Sequence, residues 1–170
     1  ASTELMWGHG EAELGLSIDV GAVTLTTREL HSDPPRPEEL SNAVGAAADA
    51  VADAVRAWPT EVREATLVGV AGTVVTTAAV EIGLADFDAT ALHGFVLTRD
   101  AAEDVFRTLA TESLADRVHN PGLPANRADV IVGGLCILVA VMRTLRAPNL
   151  VVSVHNLLDG VVADVLNRDR

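Results

Sequence analysis

The stretch VGVAGTVVTT places Gly69, Ala71, Gly72 and Thr73 where a short apolar strand passes into a helix. Small residues at such a joint let backbone N–H groups approach a phosphate, and the helix N-terminus adds partial positive charge. A plainer reading stands beside it: a tight strand–helix turn needs Gly72 for its own geometry. The chain contains no lysine, hence no Walker lysine, and no G-x-G-x-x-G. Arg127, just ahead of a helix opening ADVIVGG, is either a phosphate contact or a partner for Asp129. Glu4 is a carboxylate at a strand end, which by itself assigns it no role.

Other chemistry-bearing types are less organised. The five histidines (His9, His31, His93, His119, His155) form no i,i+4 pair and no H-x-E or H-E-x-x-H, so none has metal-ligand spacing. Asp86 and Asp88 in DFD fit a polar loop turn better than a metal site. Cys136 lies in GGLCILVAVM, the most apolar part of the chain, where a buried, unreactive thiol is expected because reactive thiols need nearby cations.

The elements that must position these residues form one domain. The 170 residues, 49% hydrophobic, suffice for a sizeable core. With three Phe, two Trp and no Tyr, that core must be built from Val, Leu, Ile and Ala. A net charge of −12 argues against nucleic acid or an anionic membrane surface as partner, because both demand positive surface. A single cysteine allows no internal disulfide, and no signal peptide is evident, which makes a reducing cytoplasm the expected location. The run from Val130 to Met142 falls short of the ~20 residues that span a bilayer and is expected to be a central buried helix.

Residues Glu11 to Val20 alternate polar and apolar, as a half-buried strand does, and ELMW ahead of them is expected to pair with it as a hairpin turning at GHG. AVTLTTREL fits a strand or a short helix. Pro37, Glu38 and Glu39 suit a helix first turn, and apolar residues then recur every three or four positions to about Trp58, ahead of Pro59. ATLVGVAG follows as a short buried strand, then TVVTTAAVEIG as a helix closed by Gly83. GFVLT is a minor strand, and Thr98 caps a helix whose apolar face is Ala102, Val105, Phe106 and Leu109. NLVVSVH is a strand and LLDGVVADVL a closing helix. An antiparallel opening followed by βαβ crossovers gives an α/β domain with a mixed five-stranded sheet flanked by helices.

STEL, SIDVGAVTLTTREL, VGVAGTVVTTAAV, HGFVLT, NPGLPANRADVIVGG and LVVSVHNLLDG occur in the order and spacing of one family. The chain resembles, over essentially all of residues 1–170, the second domain of the exopolyphosphatase / guanosine pentaphosphate phosphatase (Ppx/GppA) family. That family is a branch of the actin-like, sugar-kinase-like ATPase (ribonuclease H-like) superfamily. Its domain begins approximately D-x-G-G-G-S-T-E-L, a phosphate loop. The resemblance therefore implies that Ala1 stands at the last glycine, Ser2 and Thr3 at the phosphate-facing hydroxyls, and Glu4 at the carboxylate near the attacking water. It also implies Gly72 and Thr73 on the phosphate side, and Arg127 as a cationic contact.

The same resemblance implies an excised half of a phosphohydrolase that releases terminal phosphate from inorganic polyphosphate or guanosine pentaphosphate. The metal-binding Asp and the first, N-terminal domain with its own catalytic Glu would lie outside this chain. Mg²⁺ is then a cofactor of the full-length parent, with no metal ligand here, and the isolated chain is expected to be inactive. Where the family reads S-x-x-G-L-R-[DE]-G, this chain has Ser153 to Gly160 with Asn156 and Leu158 in place of the glycine and the basic residue. That departure and the net charge weaken the case for long polyphosphate. The rival reading is a non-catalytic actin-like domain that binds a guanosine nucleotide or phosphate as a regulatory or assembly module. A shortened first strand also leads us to expect self-association into a homo-dimer, by edge pairing or by exchange of the STELMW strand.

Overall fold

In the computed structural model, which describes residues 2–9, 12–155 and 159–160, the opening alternation forms the expected hairpin. Strands β1 (Thr3–Trp7) and β2 (Leu14–Ile18) run antiparallel, with Thr3 opposite Ile18 and Trp7 opposite Leu14. Thr3, Leu5 and Trp7 turn inward while Glu4 and Met6 face solvent. The ambiguous AVTLTTREL is a helix, α1 (Ala22–Glu29), with Leu25 fully buried.

Helix α2 (Pro37–Ala54) begins at the predicted proline but stops a turn short of Trp58. Tight turns follow, with Arg56 N–H donating to the Asp53 carbonyl and Trp58 N–H to that of Val55. Pro59 disfavours helical geometry at Trp58 and has no N–H to donate to the Val55 carbonyl, so the helix cannot run on to Trp58. Next come β3 (Val68–Gly69), α3 (Ala71–Glu81), the short α4 (Ala89–Leu92), β4 (Val96–Thr98), α5 (Arg99–Thr111), the short α6 (Leu114–Arg117), α7 (Ile131–Thr144) and β5 (Asn149–Val152). Gly83 closes α3 in the left-handed region (φ 64°), and the Thr98 hydroxyl accepts from the Ala101 N–H to cap α5. The closing helix expected over residues 157–166 lies almost wholly outside the described residues, of which Asp159 and Gly160 are helical.

All five predicted strands are present, but they do not form a single five-stranded sheet. β1 and β2 make one ladder; β3, β5 and β4, in that order, make another, with β3 parallel and β4 antiparallel to β5. The break falls between β1 and β3, where a cavity separates the two strands. β3 is correspondingly an edge strand, with Val68 55% exposed, and not the buried strand its composition suggests.

Helix α7 holds the two ladders together. Every residue from Ile131 to Met142 is buried, as an all-round apolar helix must be. Leu135 and Leu138 pack into a core with α3, α5, β4 and β5, while Ile137, Ala140 and Val141 pack into another with β2, α1 and α2. Cys136 is fully buried, and burial pushes its thiol pKa up to about 12. Among the described residues no helix is long and apolar enough to cross a membrane.

Candidate functional site

The cavity between β1 and β3, about 400 Å³, is lined by Ser2, Thr3, Glu4, Gly72, Thr73 and Arg127 among others. Residues more than a hundred positions apart in the chain thus meet where α3 begins. The hairpin brings the first three, the β3–α3 joint the next two, and a tight turn at Ala125–Arg127 the arginine.

On β1, the Ser2 hydroxyl donates to Glu4 Oε1 at 2.6 Å, and Ser17, directly opposite on β2, donates to the same oxygen at 3.3 Å. These contacts orient the Glu4 carboxylate and leave Oε2 available to a water. Thr3 is placed differently from a phosphate-facing hydroxyl. Its Oγ1 donates to the Val20 carbonyl at 2.6 Å, which fixes β1 against the end of β2.

At the β3–α3 joint the residue in the left-handed region is Ala71 (φ 68°), an uncommon conformation for a residue with a side chain. Gly72 serves another purpose. A Cβ on it would fall 1.5 Å from Arg127 Nη1 and 2.4 Å from Cζ, so the guanidinium lies directly over the glycine. Thr73 Oγ1 turns toward α7, against Gly134, where a side chain would clash at 2.5 Å. The first N–H groups of α3 have no side-chain cap, because the capping position is the apolar Val70. Uncapped amides at a helix N-terminus, with a guanidinium over the first turn, form an anion-binding arrangement.

Among the described residues no carboxylate pairs with Arg127, Asp129 included. The carbonyl of the next residue, Ala128, is held by Arg117, which sequence reasoning did not single out. Arg117, only 4% exposed, donates from Nε to the Leu109 carbonyl (2.7 Å), from Nη1 to that of Ala128 (3.0 Å) and from Nη2 to that of Glu112 (2.7 Å). Burial lowers its pKa, and the nearby Asp33 and Glu112 carboxylates oppose that shift. Asp33 in turn accepts from the Leu114 N–H at 2.8 Å. An arginine in LADRVHN resembles any surface arginine of a helix end, so no local pattern marks this role.

The histidines, scattered in sequence, are not all scattered in space: His93 and His155 meet edge to face at 4.8 Å. Asp88 caps α4, accepting from the N–H groups of Thr90 and Ala91. Among the described residues no three His, Cys, Asp or Glu side chains gather as a metal site.

The model of the Ppx/GppA phosphatase family matches residues 1–169. The chain belongs to the Ppx/GppA phosphatase family. Family members named Exopolyphosphatase 2, from two strains of Mycobacterium tuberculosis, are 36% identical over 167 residues, which is 94% of this chain and 51% of theirs. The chain therefore spans about half the length of these curated Ppx/GppA relatives. A crystal structure described as an exopolyphosphatase-like protein superposes with a TM-score of 0.91 at 28% identity, covering 99% of this chain and 57% of that one. The Aquifex aeolicus Ppx/GppA family member gives 0.86 at 27% identity, covering 99% and 54%. The mixed α/β architecture is thus that of solved Ppx/GppA structures.

Proposed function

We propose that this chain is the second, actin-like domain of a phosphohydrolase that releases terminal phosphate from inorganic polyphosphate or guanosine pentaphosphate. One observation carries the reading: Glu4, its carboxylate oriented by Ser2 and Ser17, lines the same cavity as the uncapped N-terminus of α3 and Arg127. In this reading the terminal phosphoryl group lies against the amides at Gly72 and Thr73, with Arg127 taking up negative charge on its oxygens. Glu4 orients the attacking water and accepts its proton. Phosphoryl transfer depends chiefly on positioning and on charge stabilisation, and these residues supply part of both. The name of the Mycobacterium relatives supports polyphosphate as one substrate.

Glu4 is the one carboxylate among the described residues of the cavity wall. That donor set does not make a Mg²⁺ site by itself, and no step here passes through the metal. A preceding first domain would supply the opposite wall and any metal ligand, so the isolated chain lacks both charge neutralisation and water exclusion and is inactive. The test is phosphate release from polyphosphate and guanosine pentaphosphate by the protein in which this chain follows its first domain. Glu4→Gln is expected to lower kcat by about 10²–10⁴-fold, the usual contribution of a general base. Unchanged turnover would remove Glu4 from the reaction, and no phosphate release from either substrate would make the non-catalytic, ligand-binding alternative the better account.

A further inference from the structure

The Arg127 guanidinium stands over the first turn of α3, yet among the described residues it has no hydrogen-bond or ion-pair partner of its own. Its direction is therefore set by its backbone, and by the missing side chain of Gly72 beneath it. That backbone is one tight turn: the Arg127 N–H donates to the Pro124 carbonyl at 2.9 Å, and the Val130 N–H to the Arg127 carbonyl at 3.1 Å. On one side the turn leads into α7. On the other it continues the loop 118–124, drawn so closely onto α3 that a side chain on Gly122 would fall 2.4 Å from the Ala79 carbonyl.

Arg117, the last residue of α6, ties this turn to the rest of the fold. Its Nη1 donates to the carbonyl of Ala128, a fully buried residue directly after Arg127. Nε and Nη2 hold the carbonyls of Leu109, in the last turn of α5, and Glu112, just beyond it. The guanidinium is planar and rigid, so acceptors that share it are held at fixed spacing, and the Arg127 turn is registered against the end of α5. Asp33, from the loop between α1 and α2, sets the fork from outside: its carboxylate lies 3.8 Å from Nη2 and accepts from the Leu114 N–H at the start of α6. Asn120 closes the arrangement, its amide N–H₂ donating to Glu112 Oε2 at 2.5 Å and to the Arg117 carbonyl at 3.1 Å. Bonds to Leu109 and Glu112 alone would anchor α6 to α5. The third bond reaches eleven residues along the chain, to the residue after Arg127.

We propose that Arg117 is a positioning residue for phosphate binding: through the Ala128 carbonyl it aims the Arg127 guanidinium over α3, and it touches no ligand itself. This role rests on reading the Arg127 cavity as a phosphate site, and the test separates the two. Inorganic tripolyphosphate is titrated calorimetrically into the purified chain, Arg117→Lys, Arg127→Ala and the double variant. The Arg127 Nε–H signal is followed by NMR in the parent and in Arg117→Lys, where lysine keeps the charge but loses the fork. Arg127→Ala is expected to bind about tenfold more weakly, the least that a lost charge-assisted hydrogen bond gives. Arg117→Lys is expected to shift the Arg127 signal and to bind about threefold more weakly, the low end of coupling within one network. Adding Arg117→Lys to Arg127→Ala should weaken binding no further. A role confined to stability would lower the denaturation midpoint of Arg117→Lys and leave affinity and the Arg127 signal unmoved, which would overturn the positioning role alone. A threefold loss that persists in the Arg127→Ala background would do the same. Should Arg117→Lys fail to fold, Asp33→Ala, at an exposed position, decides the matter: a shifted Arg127 signal and about twofold weaker binding are expected, and neither change would overturn the role. Binding unaffected by Arg127→Ala, or no binding at all, would overturn the phosphate site and the positioning role with it.

Discussion

The guanidinium of Arg127 occupies the space that any side chain on Gly72 would need, with Nη1 only 1.5 Å from where a Cβ would stand. Gly72→Ala is therefore expected to displace Arg127 without harming the fold, because Gly72 lies outside the left-handed region and alanine favours a helix. Tripolyphosphate affinity should fall about tenfold, as far as in Arg127→Ala, and no further in the double variant. Calorimetric titration of the three variants checks this. An additive double variant would mean that the two residues act separately.

Ala71 is the residue that bears the backbone strain of the turn. Left-handed geometry costs a residue with a side chain roughly 1–2 kcal/mol, which glycine avoids while losing part of the gain to its freer unfolded state. Ala71→Gly should stabilise the chain by about 0.5 kcal/mol in a urea titration. Ala78→Gly, in the middle of the same helix, should destabilise it by about 1 kcal/mol or more. Similar losses in both would show that the turn is unstrained.

The contrast between these neighbours shows how far the sequence could be read. The small residues of VGVAGT marked a strand–helix joint correctly, yet only coordinates distinguish the residue that bends the chain from the one that makes room for Arg127. Periodicity located α5 because its apolar face answers to a core, and the alternation over 11–20 located β2 for the same reason; α7 was legible as an unbroken apolar run because it is buried on every side. It failed on the grouping of strands. Pairing between β1 and β3 depends on backbone hydrogen bonds across a cavity, to which side-chain pattern is blind. Leu67 to Val70 are apolar whether the strand lies inside a sheet or at its edge. Arg117 was illegible because its three acceptors are main-chain carbonyls, which carry no residue identity.

Arg117 is expected to be among the most costly polar residues to replace. Arg117→Met leaves three carbonyls without their donor, at roughly 1–3 kcal/mol for a buried unsatisfied group, and should destabilise the chain by about 3 kcal/mol. Arg117→Lys, whose ammonium cannot span all three acceptors, should recover only part of that loss. Chemical denaturation reads both. A loss below about 1 kcal/mol for Arg117→Met would show that solvent replaces the guanidinium.

Glu103 on α5 accepts from Arg143 on α7 at 2.9 Å, and that bond lowers the carboxyl pKa. A carboxylate whose pKa is lower folded than unfolded adds stability above the unfolded value and loses it as pH falls through the folded one. The pair is partly exposed, so its contribution near neutrality should be about 0.5 kcal/mol. The melting temperatures of the parent and Glu103→Gln should differ at pH 7 and converge in acid below the ordinary glutamate range. A difference that persists or grows in acid would contradict the assignment.

The central claim is that the N-terminus of α3, under Arg127, binds the phosphates of a substrate. Backbone amide shifts followed by NMR as tripolyphosphate is added to the purified chain test it most directly. The account predicts saturable shifts centred on Gly72 and Thr73, weakened by added salt and absent in Arg127→Ala. Shifts spread over the other arginines, or centred on Gly72 and Thr73 yet unchanged by Arg127→Ala, would contradict it.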